Sequence, residues 1–160
     1  MDEEKRYTET EAQRFFAIQF HGQTWDLLDK SDRTKEEDEL MIHTAHASCR
    51  HWLAAGTGLH HQRGEWLISR VYAVLGMGDA ALRHANRCLE LTEEYADLMQ
   101  DFDRAFAYEG VARANAIAGN REEARKYIGL AAQAGEAIAD EEDRRIFMGD
   151  FKSINEILGG

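Results

Sequence analysis

Apolar residues recur at intervals of three and four along most of this chain, the spacing that gathers side chains onto one stripe of an α-helix. Ala81, Leu82, Ala85, Cys88 and Leu89 show it most plainly. A threonine followed three residues later by glutamate occurs at Thr8/Glu11 and again at Thr34/Glu37. In such a capping box the hydroxyl accepts from a free amide of the first turn and the carboxylate reaches back. The first box predicts a helix through about Leu28, with Phe15, Ile18, Trp25 and Leu28 near one face. The second predicts a helix over about residues 35–55, which Gly56-Thr57-Gly58 is expected to end in a left-handed conformation. Trp66 to Leu75 is apolar nearly all round, so a third helix, about residues 59–75, belongs at the centre of the molecule. Gly76-Met77-Gly78 stops it, and the stripe from Ala81 to Leu89 makes a fourth. A boundary falls between Asp97 and Asp103. A fifth helix then runs to Ala118, a sixth from about Arg121 to Ala139, and a seventh starts from an N-cap at Asp140. The seventh carries Ile146, Phe147, Phe151, Ile154 and Ile157.

The fourth and sixth of these helices, with the ends of the helices before them, are versions of one pattern. Ser69-Arg70-Val71-Tyr72-Ala73-Val74-Leu75-Gly76, followed by Asp79 to Ala85, returns 43 positions later as Ala112-Arg113-Ala114-Asn115-Ala116-Ile117-Ala118-Gly119, followed by Glu122 to Ile128. Arg70/Arg113, Ala73/Ala116, Gly76/Gly119 and Ala81/Ala124 coincide. A repeat of this size marks stacked helix pairs, because a single pair cannot bury its apolar face alone. The expectation is three antiparallel helix pairs and a closing helix in a single domain over residues 1–160.

Composition sharpens that picture. The 160 residues include no proline, the residue that removes an amide donor and clashes with the preceding turn, so nearly continuous helix is allowed. Net charge is −11, which argues against nucleic acid and anionic membranes as partners. No stretch is long and apolar enough to span a bilayer, and Met1 to Arg6 lacks the apolar core of a signal peptide. A cytoplasmic protein is expected. Cys49 and Cys88 each sit inside an apolar helical pattern, as buried reduced thiols do.

The repeated unit resembles the tetratricopeptide-repeat family in the order of its small and turn residues. Ser69, Tyr72, Gly76, Ala81 and Cys88 follow that family's pattern, as do Ala112, Gly119, Ala124 and Ala131. The family repeats every 34 residues, against 43 here. Asn115 stands where Tyr72 stands in the first copy, and the family's proline after the second helix is missing. The resemblance implies a right-handed superhelix of antiparallel helix pairs, whose first helices line a concave groove. Ala45-His46-Ala47-Ser48, Arg63-Gly64-Glu65-Trp66 and Asp101-Phe102-Asp103 are also similar to stretches of small bacterial repeat proteins, which implies a bacterial origin.

Carried over by register, the groove positions are Arg63, Trp66 and Arg70 in one repeat and Phe106, Glu109 and Arg113 in the next. Two arginines one repeat apart, beside an aromatic ring, suit a peptide carboxylate or acidic side chain. Trp25, Trp52 and Trp66 also fit apolar stripes and are expected in the core. The main reading is therefore a non-catalytic interaction module with a protein or peptide partner, no cofactor and no metal, and able to self-associate through an uncapped repeat end. The alternative, a metal- or small-molecule-binding helical protein with room for an enzymatic role, centres on His43 to Arg70, which holds five of the seven histidines, three arginines and a single acid, Glu65. There His43 and His46 share a helical face, and His60, His61, Glu65 and His84 are candidates to complete a metal or small-molecule site.

Overall fold

Both threonine caps form. Thr8 Oγ1 accepts from Glu11 N–H at 3.2 Å while the Glu11 carboxylate accepts from Thr8 N–H at 2.8 Å. Thr34 Oγ1 accepts from Glu37 N–H at 3.1 Å, but the second box is only half made, because the Glu37 carboxylate takes Lys30 instead of reaching back. From these starts the computed structural model, which describes residues 3–159, gives α1 (Glu9–Leu28) and α2 (Lys35–Ala55). Then come α3 (Gly58–Val74), α4 (Gly78–Glu94), α5 (Asp101–Ala118), α6 (Arg121–Glu136) and α7 (Glu141–Ile157), with a short 3₁₀ turn at Ala96–Leu98. Among the described residues the fold is all-helical, with seven α-helices and no strand. None of these helices is long and apolar enough to cross a membrane.

Gly76 (φ 74°) and Gly119 (φ 84°) make the left-handed turns that close α3 and α5, where a Cβ would be strained. Gly56 does not repeat this: at φ −108° and ψ −168° its backbone is extended. The chain thus leaves α2 straight into the cap of α3 rather than through a left-handed turn. The sixth helix also stops earlier than its pattern suggests, at Glu136 rather than Ala139. The carbonyl of Ile138 accepts from Arg144 at 2.9 Å, and Ala139 N–H donates to the Asp101 carboxylate at 2.9 Å. These bonds draw the chain out of the helix and drop Ile138 into the core, 1% exposed.

The extensive contacts are between neighbours. α1 packs on α2, α3 on α4 and α5 on α6; successive pairs meet through α2·α3, α4·α5 and α6·α7, and α5 also touches α3 and α7 directly. The core is correspondingly a series of clusters. Met41, Ala45, Cys49, Ile68 and Val71 join the first two pairs; Ala73, Ala81, Ala85, Val111 and Ala114 lie between α3, α4 and α5; Ala105, Ala131, Ile138 and Phe147 seal α5, α6 and α7. The small side chains of the middle cluster let helix backbones approach closely. Buried polar bonds then tie helix to helix, as in Ser69 Oγ donating to Ala81 O at 2.8 Å and Gln62 Nε2 donating to Thr92 Oγ1 at 3.0 Å.

α1 departs from its expected core face. Phe15 and Ile18 are 44% and 53% exposed; the helix instead buries Ala17 and Thr24. Ser48 Oγ donates to Ala17 O at 2.8 Å, and Thr24 and Thr44 hydroxyls pair at 2.9 Å. Small residues with matched polar groups bring α1 against α2, and the larger apolar side chains Phe15 and Ile18 lie exposed away from that contact.

Two glycines of α6 should respond oppositely to alanine. Gly129 is exposed with open space around a Cβ, so Gly129→Ala should stabilise by about 0.5–1 kcal/mol through the backbone entropy of the unfolded chain. A Cβ on Gly135 would collide with the ring of Phe147, which is 0% exposed and cannot swing aside. Gly135→Ala should therefore destabilise by about 1–3 kcal/mol despite the better helix propensity. Thermal denaturation of both variants checks the pair.

Candidate functional site

Four helices each contribute one aromatic ring to a continuous row. Trp25 of α1 stacks on Trp66 of α3 with centroids 6.1 Å apart; Trp66 meets Phe106 of α5 edge-on at 5.6 Å; Phe106 meets Phe147 of α7 at 5.1 Å. Beside this row lies a cavity of about 370 Å³ whose walls include Trp25, Trp66, Leu67, Phe102 and Phe106, with His21, Gln62, Arg63, Asp103 and Asp150 as its polar members. A concave, mostly aromatic cleft with a few placed polar groups is the ordinary form of a binding site. Gln62 is 2% exposed. Its amide N–H donates to Thr92 and to Asp103 O, while its Oε1 has no partner. That oxygen is an unpaired acceptor closed off from solvent behind the cavity wall.

The structure brings all six groove residues expected from the repeat register to this region, but it uses them differently. Arg63 forks onto Asp103 with bonds of 2.9 and 3.0 Å and lies 5.4 Å over the Phe102 ring. Trp66 and Phe106 line the cavity. Arg70, Glu109 and Arg113 form a charge network beyond it. Glu109, 0% exposed, accepts through Oε1 from Arg113 Nε at 2.8 Å and more distantly from Arg70 Nη1 at 3.5 Å. Arg70 Nη2 donates to Asp150 Oδ1 of α7 at 3.0 Å, and Arg113 Nη2 donates to Asp150 O and Ser153 Oγ at 2.9 and 2.7 Å. The two arginines suited to a ligand carboxylate thus already hold carboxylates of their own chain. They bolt α7 across α3 and α5.

The tryptophans divide as well. Trp25 and Trp66 are half-buried at the cavity instead of closed in the core, and Trp52 stacks against His60 at 4.3 Å. Trp25 lay outside the repeat register because the aromatic row does not follow it: positions 25, 66, 106 and 147 are spaced by 40 or 41 residues, whereas the repeat returns after 43. That difference of two or three residues turns a helical face by more than half a turn, so rings that face each other across helices are not aligned in sequence. Aromatic residues at that second period were the readable signal.

The histidines separate into distinct roles. His43 is exposed. His51 bonds Gln13, and His60 Nδ1 accepts from Thr57 N–H at 3.0 Å, serving the cap of α3. Burial, helped by the charges of Arg14 and Arg63, holds the His60 pKa below its ordinary value. His46, His61, His84 and Glu65 do converge, together with Cys49. Glu65 takes His84 Nδ1 at 2.6 Å and His61 Nε2 at 3.4 Å, and His46 Nε2 lies 2.9 Å from the Tyr72 hydroxyl. Burial would raise the Glu65 carboxyl, but the hydrogen bond and charge of His84, with His61, outweigh it and its pKa falls below the ordinary value. Both cysteines are free and buried as expected; burial pushes the Cys49 thiol up to about 12.

No family model matches the chain, and no curated protein or solved structure is significantly similar to it.

Removing Glu109 leaves the Arg113 guanidinium buried beside Arg70 with its charge uncompensated. Glu109→Ala should cost about 3–5 kcal/mol, seen as a fall of roughly 6–20 °C in the midpoint of thermal unfolding. Arg63→Ala, with an arginine side chain 45% exposed over a buried Asp103, should cost less, about 1–3 kcal/mol, because solvent reaches the pair from the arginine side. Equal losses in the two variants would contradict the burial argument.

Proposed function

We propose that this chain is a non-catalytic binding module, built as a short superhelix of helix pairs in the tetratricopeptide manner, that holds a peptide or partner-protein segment against its aromatic row. The observation that carries this reading is the cavity beside Trp25, Trp66 and Phe106, walled by rings from three first helices of successive pairs. Packing mostly between consecutive helices, a 43-residue repeat and left-handed glycines at matched turns support the superhelical description.

The charge arrangement decides the kind of ligand. A carboxylate would have to displace Glu109 or Asp150 from arginines that these acids already satisfy. An apolar or aromatic side chain needs no such exchange: it fills the cleft between Trp25, Trp66 and Phe106. Aromatic residues flanked by arginine are the usual centres of binding energy at interfaces. Arg63 sits at the rim, and Arg70, Glu109 and Arg113 act as the frame that keeps the wall in place.

Self-association belongs to the same reading. On the outer side of α1, Tyr7 stacks with Phe15 at 5.4 Å and Phe15 meets Phe16 at 5.3 Å. Tyr7, Phe15, Phe16 and Ile18 are all more than 40% exposed, a contiguous apolar surface of the kind that a second copy covers. The acid surplus of the chain keeps nucleic acid and anionic membranes outside the proposal.

Two measurements check these statements. Peptides selected from a random library on the immobilised full chain should carry an apolar or aromatic anchor. Their affinity should fall by about 2 kcal/mol, roughly thirtyfold, in Trp66→Ala; selected peptides that bind this variant and Trp25→Ala equally well would refute the groove. In sedimentation, a double Phe15→Ser, Phe16→Ser variant should run as monomer where the parent chain dimerises, and a parent chain that stays monomeric would remove the self-association.

A further inference from the structure

Glu65 differs from the other buried or half-buried acids described above. Asp103, Glu109 and Asp150 each take an arginine, whereas the ion-pair partners of Glu65 are two histidines, His61 and His84. His61 and Glu65, four residues apart, share one face of α3. Across from them α2 presents Cys49, and the ligand atoms of Cys49, His61 and Glu65 all lie within 4.8 Å of one another. A tetrahedral zinc ion with bonds of about 2.0–2.3 Å needs its ligand atoms roughly 3.3–3.8 Å apart, so small side-chain rotations close the set.

The backbone is arranged for this approach. A Cβ at position 64 would stand 2.8 Å from Cys49 Sγ and 3.2 Å from its Cβ. Gly64, inside α3 and buried, is what lets the sulfur sit against that helix beside His61 and Glu65. His84 comes from α4 and takes Glu65 Oε2; its own ring is flanked by Tyr72 (5.7 Å, stacked) and by His46 (5.4 Å, edge-on). A histidine that fixes the orientation of a metal-binding carboxylate from behind is a common supporting arrangement.

We propose that Cys49, His61 and Glu65 bind a divalent transition metal of the zinc class, with His84 as the positioning residue that holds the Glu65 carboxylate. Thiolate, imidazole and carboxylate together suit zinc or cobalt(II) better than magnesium or calcium, which prefer all-oxygen ligands. Three protein ligands leave a fourth coordination position for solvent or an added ligand. Binding replaces the thiol proton of Cys49 with a sulfur–metal bond and releases that proton to solvent, so affinity rises with pH. The half-exposed edges of His61 and Glu65, 22% and 13% accessible, give the ion a way in. The site is separate from the aromatic cleft, and neither proposal depends on the other.

Cobalt(II) tests it on the full chain prepared without a histidine tag and stripped of metal. One equivalent should bind and give the intense visible bands of tetrahedral cobalt together with a thiolate-to-cobalt charge-transfer band, and zinc should displace it. Cys49→Ala should abolish the charge-transfer band, and His61→Ala should weaken zinc binding more than a hundredfold. His84→Ala should weaken it about 10–100-fold, with His84→Gln recovering part of the loss by keeping the bond to Glu65. His51→Ala, outside the cluster, should change nothing. Wild-type protein that takes up less than a tenth of an equivalent, or binds cobalt without the thiolate band, overturns the site. Binding that survives His61→Ala, with circular dichroism confirming the fold, overturns it equally.

Discussion

A carboxylate with no exposed surface cannot be left without cations, and Glu109 organises the second half of the molecule on that account. Its partners come from two helices, Arg70 of α3 and Arg113 of α5, and the same arginines reach Asp150 and Ser153 on α7. One network therefore fixes three helices relative to each other. Apolar contact alone would allow α7 to slide along α5, since hydrophobic attraction is non-directional. Guanidinium forks have fixed geometry, and here they set the position of the last helix.

That placement has a consequence for binding. The register that aligns Arg70 with Arg113 draws attention to both as recognition groups, yet their charge is engaged inside the protein. What remains accessible is the half-buried part of the row, Trp25, Trp66 and Phe106, with Trp66 held under Arg70 at 5.9 Å and Phe106 packed on the buried Phe147 of α7. The arginines thus act on the cleft through its walls.

The histidine-rich segment shows a comparable division. His51 and His60 serve local structure, by bonding Gln13 and capping α3. His46, His61 and His84 instead face inward around Glu65, where two acceptor oxygens meet two imidazoles. Cys49, three positions after His46 on the same face of α2, completes the cluster. The spacing was readable, but nothing in the sequence says that α2 and α3 meet with Cys49 against Gly64.

The sequence by itself determined that the chain is helical, where most helices begin and end, and which helices pair. These are local matters: threonine caps, left-handed glycines, the absence of proline and a three-to-four apolar period act within a few residues. It also singled out Arg63, Trp66 and Phe106, which line the cavity. Only the tertiary structure decided that Phe15 and Ile18 face outward, that Trp25 joins Trp66, and that Arg70 and Arg113 spend their charge on Glu109 and Asp150. The reason is geometric. Residues that touch across pairs are 37 to 41 positions apart, as in Arg113–Asp150, Arg70–Glu109, Arg63–Asp103 and Trp25–Trp66, while the repeat runs at 43. Which charge meets which across that offset is a property of packing and is written in no local pattern.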